Sequence, residues 1–326
     1  MKVLVTGGAG YIGSIVTEIL CEEGYQAVVL DNLACGHRGA VHPKAELVVG
    51  DVQDRAALDA LFAQHRFYAV VHLAAEARID DSIRDPGLFF RVNVVGGINL
   101  LDAMLAGGVR RMVFSSTAAV FGEPERVPIT EDDPKNPVNS YGESKLQFER
   151  VLDWYGRAYG LRHVSFRYFN ACGASERYGE WRERETHIIP ILFDVVQGNR
   201  PQFTLFGGDY PTPDGACVRD YVHVSDIARA HVIALGRLDE MATRAYNIGS
   251  GEGYSNLQVI ESVRHVTGDP IPMKTGPRRA GDPATLVASS DLIKSELGWR
   301  QEFPDLDSMV RSAWAWRQAH PMGYLE

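Results

Sequence analysis

The chain has 326 residues, of which 45% are hydrophobic and 23% charged, and its formal net charge at pH 7 is −9. This composition is that of a globular protein and excludes an intrinsically disordered chain. The acidic balance and the lack of lysine or arginine runs argue against a nucleic-acid-binding protein, because phosphate backbones are bound by basic patches. The length predicts one large domain with a smaller partner.

The four cysteines, Cys21, Cys35, Cys172 and Cys217, are far apart and form neither a CxxC pair nor a cluster with histidines. They therefore predict no disulfide framework and no metal site. The N-terminus runs directly into a strand and a glycine turn, and we find no apolar run close to the roughly 20 residues that span a bilayer. We expect a cytoplasmic protein without membrane, metal or nucleic-acid partners.

Apolar, β-branched runs alternate with helical stretches through the first half of the chain. Predicted strands lie at 2–6, 26–30, 46–50, 68–72 and 110–116, and predicted helices at 12–23, 54–64 and 88–106. Such alternation predicts a right-handed parallel sheet with helices on both faces, the doubly wound Rossmann architecture of the α/β class.

From about Arg167 onward the chain is richer in glycine, proline and loop-like stretches. We predict a Rossmann domain over residues 1–170 and a smaller α/β domain, mainly for substrate binding, over 171–326. The boundary near residue 170 is approximate, and segments of the two domains are free to interleave.

Glycines at positions 7, 10 and 13 separate the first predicted strand from the helix that begins near Ile12. A dinucleotide site needs glycine in this pattern for a tight turn, for close approach of the pyrophosphate and for packing of helix on strand. The pyrophosphate would lie at the positive N-terminus of that helix. The alternative is a plain glycine turn, and its place on the first strand favours the dinucleotide site.

Acidic residues follow the second and third strands. Asp31 is placed to accept hydrogen bonds from the adenosine ribose and to repel a 2′-phosphate, which favours NAD over NADP; the alternative is an acid that only stabilises a turn. Asp51 and Val52 are placed to hold the adenine. In the HLAA segment, His72 to Ala75, small residues allow the backbone to approach the cofactor, and we interpret His72 as a core histidine.

Tyr141 and Lys145 lie four residues apart at the start of a helical stretch and therefore share one face. The ammonium group and the cofactor would lower the pKa of the tyrosine and make it a general base. The fifth strand ends in Ser115, Ser116 and Thr117, at the edge where open α/β sheets bind ligands. We expect Thr117 to hydrogen-bond the reacting hydroxyl; the alternative is that it caps strand carbonyls.

Eight motifs occur in order over nearly the whole chain: TGGAGYIG, DNL, HLAA, SSTAAVFG, YxxxK, RYFNACGA, RDYVHVSD and PRRAGDP. In this combination the chain resembles the UDP-glucose 4-epimerase family of extended short-chain dehydrogenases/reductases. The resemblance implies an NAD-dependent interconversion of UDP-glucose and UDP-galactose through a transient 4-keto sugar, and leaves open the N-acetylated pair. It also implies a homodimer that pairs the helices at 88–106 and 141–159.

The resemblance further nominates Asn170, Arg219, Arg279 and Asp282 as contacts of the UDP group, and two guanidiniums suit a diphosphate. For Arg219 the alternative is a structural ion pair with Asp220. His187 is a candidate UDP contact, and Leu286 falls where a residue beside the C2 substituent controls admission of N-acetylated sugars.

The predicted catalytic residues are thus Tyr141, Lys145 and Thr117, and the first and last of these also contact the substrate. By resemblance Tyr168 and Phe169 wall the nicotinamide, and Asn93 lies near the cofactor unless it only caps a loop. The full predicted NAD site comprises Gly7, Gly10, Tyr11, Ile12, Gly13, Asp31, Asn32, Asp51, Val52, Leu73, Ala74, Ala75, Asn93, Ser115, Tyr141, Lys145, Tyr168 and Phe169.

The chain departs from the family where a lysine or polar residue commonly contacts the NAD phosphates, because Ala77 and Arg78 stand there and leave that contact unassigned. Ala118 and Ala119 follow Thr117 where sugar-nucleotide 4,6-dehydratases carry an acidic pair, so a dehydratase is disfavoured. Two alternatives stay open: an epimerase or decarboxylase of the UDP-glucuronate type, and a non-catalytic NAD(P)-sensing Rossmann protein.

Overall fold

The computed structural model describes residues 1–279 and 282–325 of the chain. The strands in these residues are β1 (Lys2–Thr6), β2 (Gln26–Asp31), β3 (Glu46–Val49), β4 (Ala69–His72), β5 (Arg111–Thr117), β6 (Arg162–Tyr168), β7 (Asn170–Cys172), β8 (Phe203–Phe206), β9 (Val218–His223), β10 (Arg244–Ile248), β11 (Gly253–Ser255), β12 (Met273–Gly276) and β13 (Thr285–Leu286). The α-helices are α1 (Tyr11–Glu22), α2 (Arg55–Gln64), α3 (Ile79–Arg84), α4 (Pro86–Phe90), α5 (Gly97–Ala106), α6 (Ser140–Tyr159), α7 (Ile188–Val196), α8 (Val224–Arg237), α9 (Asn256–Thr267), α10 (Asp291–Leu297) and α11 (Leu306–Ala319).

Seven strands form the larger sheet in the order β10-β6-β5-β4-β1-β2-β3, and every neighbouring pair is parallel. The strand order reverses beside β1, so the carboxyl ends of β1 and β4 flank a crevice of the kind in which open α/β sheets bind ligands. The predicted doubly wound α/β sheet is therefore confirmed.

Both faces of this sheet are buried, as the apolar runs of its strands require. In β1 the side chains of Val3 and Val5 pack on one face with α1 and α8, while Leu4 packs on the other with α2, α5 and α6. None of these three side chains has measurable solvent exposure. The two helical layers fix the carboxyl edge of the sheet, where the predicted site residues lie.

The predicted helix at 88–106 is continuous but not uniform: α4 leads into a π-helical turn (Arg91–Gly96) and then into α5. The stretch Pro86–Ala106 is long and apolar enough, by length and composition, to cross a membrane, so the sequence-based statement that no run of that kind exists was wrong. It is also a core helix, because Leu100 and Leu101 are buried and a Cβ on Gly97 would lie 2.3 Å from the Phe148 ring. Helices that pack in a protein core meet the same criterion.

A smaller unit is built around β9, which pairs with β7, β11 and β13. Helices α7, α9 and α11 bury a separate apolar cluster against it. After residue 171 the chain also returns to the larger sheet through β10, while α8 packs on α1. The division near residue 170 stays a prediction, and the second half of the chain contributes to both sheets.

Asp220 ties the two sheets together. Its buried carboxylate, on β9, accepts hydrogen bonds from the backbone N–H groups of Ser250 and Gly251, which follow β10, and of Ala288, which follows β13. Burial raises the pKa of Asp220 to about 6, although these hydrogen bonds favour its charged form. The bonds hold the loop after β10 against the second sheet.

Candidate active site

The turn between β1 and α1 has the shape that a dinucleotide pyrophosphate requires. Gly7 has a φ of +74°, and a Cβ at this position would lie 2.6 Å from the backbone nitrogen of Ala74. A Cβ on Gly13 would lie 2.1 Å from the Gly7 carbonyl oxygen. A Cβ on Gly10 would lie near only that carbonyl oxygen, at 3.4 Å, so the outer side of the turn is open. The N-terminus of α1 can therefore receive an anion, and the residues fit the predicted cofactor.

Asp31 lies at the end of β2 with its carboxylate folded onto the glycine turn. It accepts hydrogen bonds from the backbone nitrogens of Ala9, at 3.0 Å, and Leu33, at 2.9 Å. Burial raises the pKa of Asp31, while these two bonds lower it. The residue thus stabilises the turn, and its contact with the cofactor ribose stays a prediction.

The ends of β2 and β3 are joined by their polar side chains. Asn32 donates a hydrogen bond to Asp51 at 2.9 Å, and Asp51 also accepts one from the backbone nitrogen of Gln53 at 2.8 Å. Val52 is buried beside them. The predicted adenosine contacts therefore share one edge of the sheet.

His72 belongs to the core. Its Nδ1 lies 2.7 Å from the Thr6 hydroxyl, and its ring stacks on Phe114. Burial lowers the pKa of His72 to about 3, so the ring is neutral. This agrees with the interpretation of His72 as a core histidine, while Leu73, Ala74 and Ala75 continue the chain past the glycine turn.

The side chain of Asn93 uses both of its donor positions and one of its two acceptor positions. Its amide nitrogen donates to the Glu76 carbonyl and the Ser144 hydroxyl, and its oxygen accepts from the Glu76 nitrogen. It thereby fixes the loop after β4 against α6. A direct contact between Asn93 and the cofactor stays a prediction.

Tyr141 and Lys145 lie in the first two turns of α6, whose first turn is capped by Asn139 through a 2.9 Å hydrogen bond to the Gly142 nitrogen. The Lys145 ammonium donates to the Ser115 carbonyl at 2.9 Å. Burial lowers the pKa of Lys145 to about 7, and the charge of Glu149 raises it. The helix thus places both predicted catalytic side chains against the end of β5.

Burial raises the pKa of Tyr141, whereas a hydrogen bond from Thr117 and the charge of Arg182 lower it. We expected the ammonium group and the cofactor together to lower this pKa, and that stays a prediction, because among the protein's own residues the removal of the phenol from water outweighs the nearby groups. Thr117 also accepts a hydrogen bond from the Ala119 nitrogen at 3.1 Å. Thr117 thus lies beside Tyr141 and caps a backbone N–H group, not the strand carbonyls that the alternative named.

Beneath the end of β5 lies a buried ionic network. Arg167, on β6, contacts both carboxylate oxygens of Glu149, on α6, at 3.0 and 2.7 Å. The Ser116 hydroxyl donates to the same carboxylate at 2.5 Å. These bonds fix α6 to β5 and β6 directly below Thr117 and Lys145.

A cavity of about 490 Å³ opens between the two sheets. Of the predicted site residues, twelve line it: Tyr11, Ile12, Thr117, Tyr141, Tyr168, Phe169, Asn170, His187, Arg219, Arg279, Asp282 and Leu286. The others do not line it but lie at the sheet edge around the glycine turn or behind β5: Gly7, Gly10, Gly13, Asp31, Asn32, Asp51, Val52, Leu73, Ala74, Ala75, Asn93, Ser115 and Lys145. The predicted substrate residues are thus together in one cavity beside Tyr141.

One cationic part of the cavity lies beside the second sheet. Arg219 forms an ion pair with Asp282 and not with its neighbour Asp220, so the structural pair that we considered is wrong. The Arg279 guanidinium lies 4.3 Å from the centre of the Phe206 ring. Two guanidiniums on one wall provide a site for a diphosphate.

The other predicted residues of the cavity surround these groups. Leu286 packs against the apolar cluster that contains Ala118 and Phe169. The Tyr168 hydroxyl lies 2.5 Å from the Nε2 of His231, on α8. His187, which precedes α7, lies with its Nδ1 2.6 Å from the Glu180 carboxylate. An acid next to this candidate UDP contact was not expected.

The sequence analysis missed the charged segment that contains Glu180, Arg182 and Arg184, all of which line the cavity. Five of the six residues from 180 to 185 are charged. That density in a loop is the signal that could have identified the segment as functional. Asp81, on α3, also lines the cavity and was missed, and nothing in its local sequence distinguishes it.

Comparison with known proteins agrees with this geometry. Residues 3–249 match the family described as "NAD dependent epimerase/dehydratase family". The UDP-glucose 4-epimerase of Corynebacterium glutamicum is 49% identical over 319 residues, which cover 98% of this chain and 96% of that protein.

Two solved structures extend the comparison. A UDP-glucose 4-epimerase from Brucella ovis in complex with NAD has a TM-score of 0.93 at 42% identity, with 97% of this chain and 98% of that chain covered. The enzyme from Bifidobacterium longum in complex with NAD+ and UDP has a TM-score of 0.94 at 34% identity, with 99% and 100% covered. The chain belongs to the NAD dependent epimerase/dehydratase family, among relatives that are UDP-glucose 4-epimerases.

Proposed function

We propose that this protein is a UDP-glucose 4-epimerase that interconverts UDP-glucose and UDP-galactose with NAD as its cofactor. The observation that carries the proposal is the placement of Tyr141 and Thr117 in the same cavity as Arg219 and Arg279. A general base for a sugar hydroxyl and cationic groups for a diphosphate thus line the same cavity. The relatives' names agree with this substrate.

The glycine turn, the N-terminus of α1 and Asp31 would hold the dinucleotide, and Tyr168 and Phe169 line the cavity where its nicotinamide would lie. NAD, when bound there, would supply the acceptor and donor for the C4 hydride. Because Asp31 is acidic, it disfavours the additional phosphate of NADP.

Side chains of the protein transfer the proton of the sugar hydroxyl. Tyr141 takes the proton of the sugar 4-hydroxyl, directly or through the Thr117 hydroxyl, and gives it back after the ring has turned. Lys145 is bound to the Ser115 carbonyl, one residue before Ser116 and two before Thr117, and so supports the position of the strand end. Burial raises the pKa of Tyr141, and the positive nicotinamide of bound NAD would act against it and favour the phenolate.

The UDP group anchors the substrate while the sugar turns. Arg219, Arg279 and Asn170 lie on the cavity wall, and Asp282 orients Arg219 through their ion pair. Binding energy placed on the nucleotide does not resist rotation of the hexose about its bond to the diphosphate. Space for both orientations comes from the cavity of about 490 Å³.

Admission of N-acetylated sugars is the finer question of substrate choice. Leu286 is partly buried at the cavity wall against the cluster of Ala118 and Phe169. An apolar side chain of intermediate size leaves the C2 position less restricted than a large aromatic residue would. We therefore extend the proposal to slower turnover of the N-acetylated pair.

We also propose that the protein acts as a homodimer through the stretch 86–106 and α6. Large apolar side chains are exposed there, with Val95 52%, Trp154 65% and Tyr159 53% accessible. Apolar surface of this kind on neighbouring helices is typical of an interface between subunits.

The proposal is tested by incubating the purified protein, without added reductant, with UDP-galactose, UDP-N-acetylgalactosamine and UDP-glucuronate in separate reactions. Formation of UDP-glucose from the first supports the proposal, and turnover of the second sets the tolerance at C2. Turnover of UDP-glucuronate alone would move the assignment to the acid-sugar enzymes. A protein that binds NAD and turns over none of the three would be a sensor.

A further inference from the structure

The strongest unexplained feature of the cavity is the charged segment Glu180–Glu185, which belongs to the loop between β7 and α7. Its place is fixed from both sides. The Tyr324 hydroxyl bonds to the nitrogen and the carbonyl of Gly179 at 2.9 and 2.8 Å. The Trp181 carbonyl lies 3.2 Å from the Nε2 of His37, a residue of the loop that follows β2.

The segment therefore crosses from the second sheet to the side of the first sheet where the cofactor would bind. It is also joined to α3, because Arg184 contacts the Asp81 carboxylate at 3.2 Å. Asp81 holds a second guanidinium, that of Arg78, at 2.7 Å. Arg78, the residue in the position where relatives were expected to contact NAD phosphates, is thus engaged by Asp81.

Of the two arginines in this segment, Arg182 has the more buried side chain. It lines the same cavity as Tyr11 and Tyr141, and only 28% of its side chain is exposed. Its guanidinium lies 3.0 Å from the Glu180 carboxylate, which keeps it oriented. A guanidinium that is already oriented loses little rotational freedom when it binds a second anion.

The residues affected by the charge of Arg182 indicate whether it lies near the predicted cofactor site or near the predicted UDP site. Burial raises the pKa of Cys35 and of Tyr141; the charges of Arg78 and Arg182 act against burial at Cys35, and that of Arg182 does so at Tyr141. Cys35 follows β2 beside the glycine turn, where a Cβ on Gly36 would lie 2.9 Å from Ala9. Arg182 thus lies within electrostatic range of both the phosphate turn and the catalytic tyrosine, whereas Arg219 and Arg279 stand on the wall of the second sheet.

We infer that Arg182 binds the phosphates of the dinucleotide, and that the Arg184–Asp81 ion pair holds its segment across the cofactor cleft. This inference rests on the proposed function, because it assumes NAD in the cleft. Arg182 then supplies the phosphate contact that the sequence left unassigned after the HLAA segment. The loop has to lift before the cofactor leaves, so these residues control its release rate.

The test compares the wild-type protein with the variants Arg182→Ala, Arg182→Lys and Arg184→Ala. Each is loaded with the fluorescent analogue etheno-NAD and chased with excess NAD, and the release rate is followed by fluorescence. Arg200→Ala is the matched control, since Arg200 forms an exposed ion pair with Asp194 outside the cavity. The affinity for UDP is measured on the same loaded proteins by calorimetry.

We expect Arg182→Ala to release the analogue about tenfold faster or more, as loss of a hydrogen bond between charged groups does. Arg182→Lys, which keeps the charge, and Arg184→Ala, which frees the segment, should accelerate release less. Arg200→Ala should match the wild-type rate, and UDP affinity should change less than twofold in all four variants.

Two results would overturn the inference while leaving the proposed function intact. One is release from Arg182→Ala and Arg182→Lys at the wild-type rate. The other is weaker UDP binding with unchanged cofactor release, which would assign Arg182 to the substrate diphosphate. A wild-type protein that binds no NAD would instead overturn the proposed function, and the inference with it.

Discussion

The Tyr141 side chain lines the cavity beside Thr117, and burial of its phenol raises its pKa. A group in these surroundings keeps its proton at neutral pH until a positive charge arrives beside it. We therefore expect the bound cofactor, with its positive nicotinamide, to favour the phenolate of Tyr141.

The direct prediction at this scale concerns Tyr141→Phe, which removes the hydroxyl and keeps the ring. Because a general acid-base group contributes about 10²–10⁴-fold, we expect kcat to fall by that range while NAD stays bound. Steady-state conversion of UDP-galactose and the NAD content of the purified variant measure both effects. Tyr159→Phe, an exposed position on the same helix, is the control and should retain activity.

Retention of near-normal activity in Tyr141→Phe would contradict the assignment of the base. A loss of both activity and bound NAD would indicate a structural role for the hydroxyl instead.

At the scale of helices and strands, the features that could be predicted from the sequence are those set by residue type and spacing. Gly7 and Gly13 are required by close backbone contacts, and a spacing of four residues places Tyr141 and Lys145 together on any helix. The strands were predictable because a parallel sheet buried on both faces needs continuous apolar runs. Apart from the approach of Gly7 to Ala74, these patterns depend on neighbours in the chain.

The residues that escaped prediction depend on distant contacts. Arg182 reaches the cavity because Tyr324 and His37 fix its loop, and neither lies near it in sequence. The pairing of Arg219 with Asp282 instead of Asp220 depends on the pairing of β9 with β13. The raised pKa of Tyr141 results from burial, which a motif does not describe.

The packing of β4 against β1 predicts a pH dependence of stability. His72 has a pKa of about 3 in the folded protein, against 6.5 for the unfolded chain, because burial disfavours its charged form. Between these values the unfolded state binds more protons, so stability falls as the pH falls from 6.5 towards 3. One such group contributes about 1.4 kcal/mol per pH unit within that window.

The variant His72→Gln removes this titration and leaves a polar group for the Thr6 hydroxyl. We expect its free energy of unfolding, measured in urea between pH 6.5 and 4.5, to depend less steeply on pH than that of the wild type. Absolute stability should be lower at pH 7.5, because packing with Phe114 is lost. Parallel pH curves for the two proteins would show that His72 does not titrate in this window.

At the scale of the whole molecule, the exposed apolar residues of α6 and the stretch 86–106 predict assembly. We expect sedimentation equilibrium to give twice the chain mass of 36.0 kDa. Trp154→Lys should shift the protein towards the monomer, because it places a charge within the proposed interface. Met322→Lys is the control, since Met322 is 76% exposed and lies outside those helices.

A monomeric wild-type protein at micromolar concentration would refute the dimer and leave the epimerase assignment unaffected. The predicted substrate residues line one cavity within a single chain.

In the proposed reaction, the hydride is removed from C4 and returned to the same carbon within one cavity. The measurement that tests this claim most directly follows UDP-galactose carrying deuterium at C4, incubated with the purified protein in ordinary water without added reductant. We predict UDP-glucose that retains deuterium at C4, because the hydride never leaves the site. UDP-glucose with hydrogen from water at C4, or no UDP-glucose at all, would contradict the account.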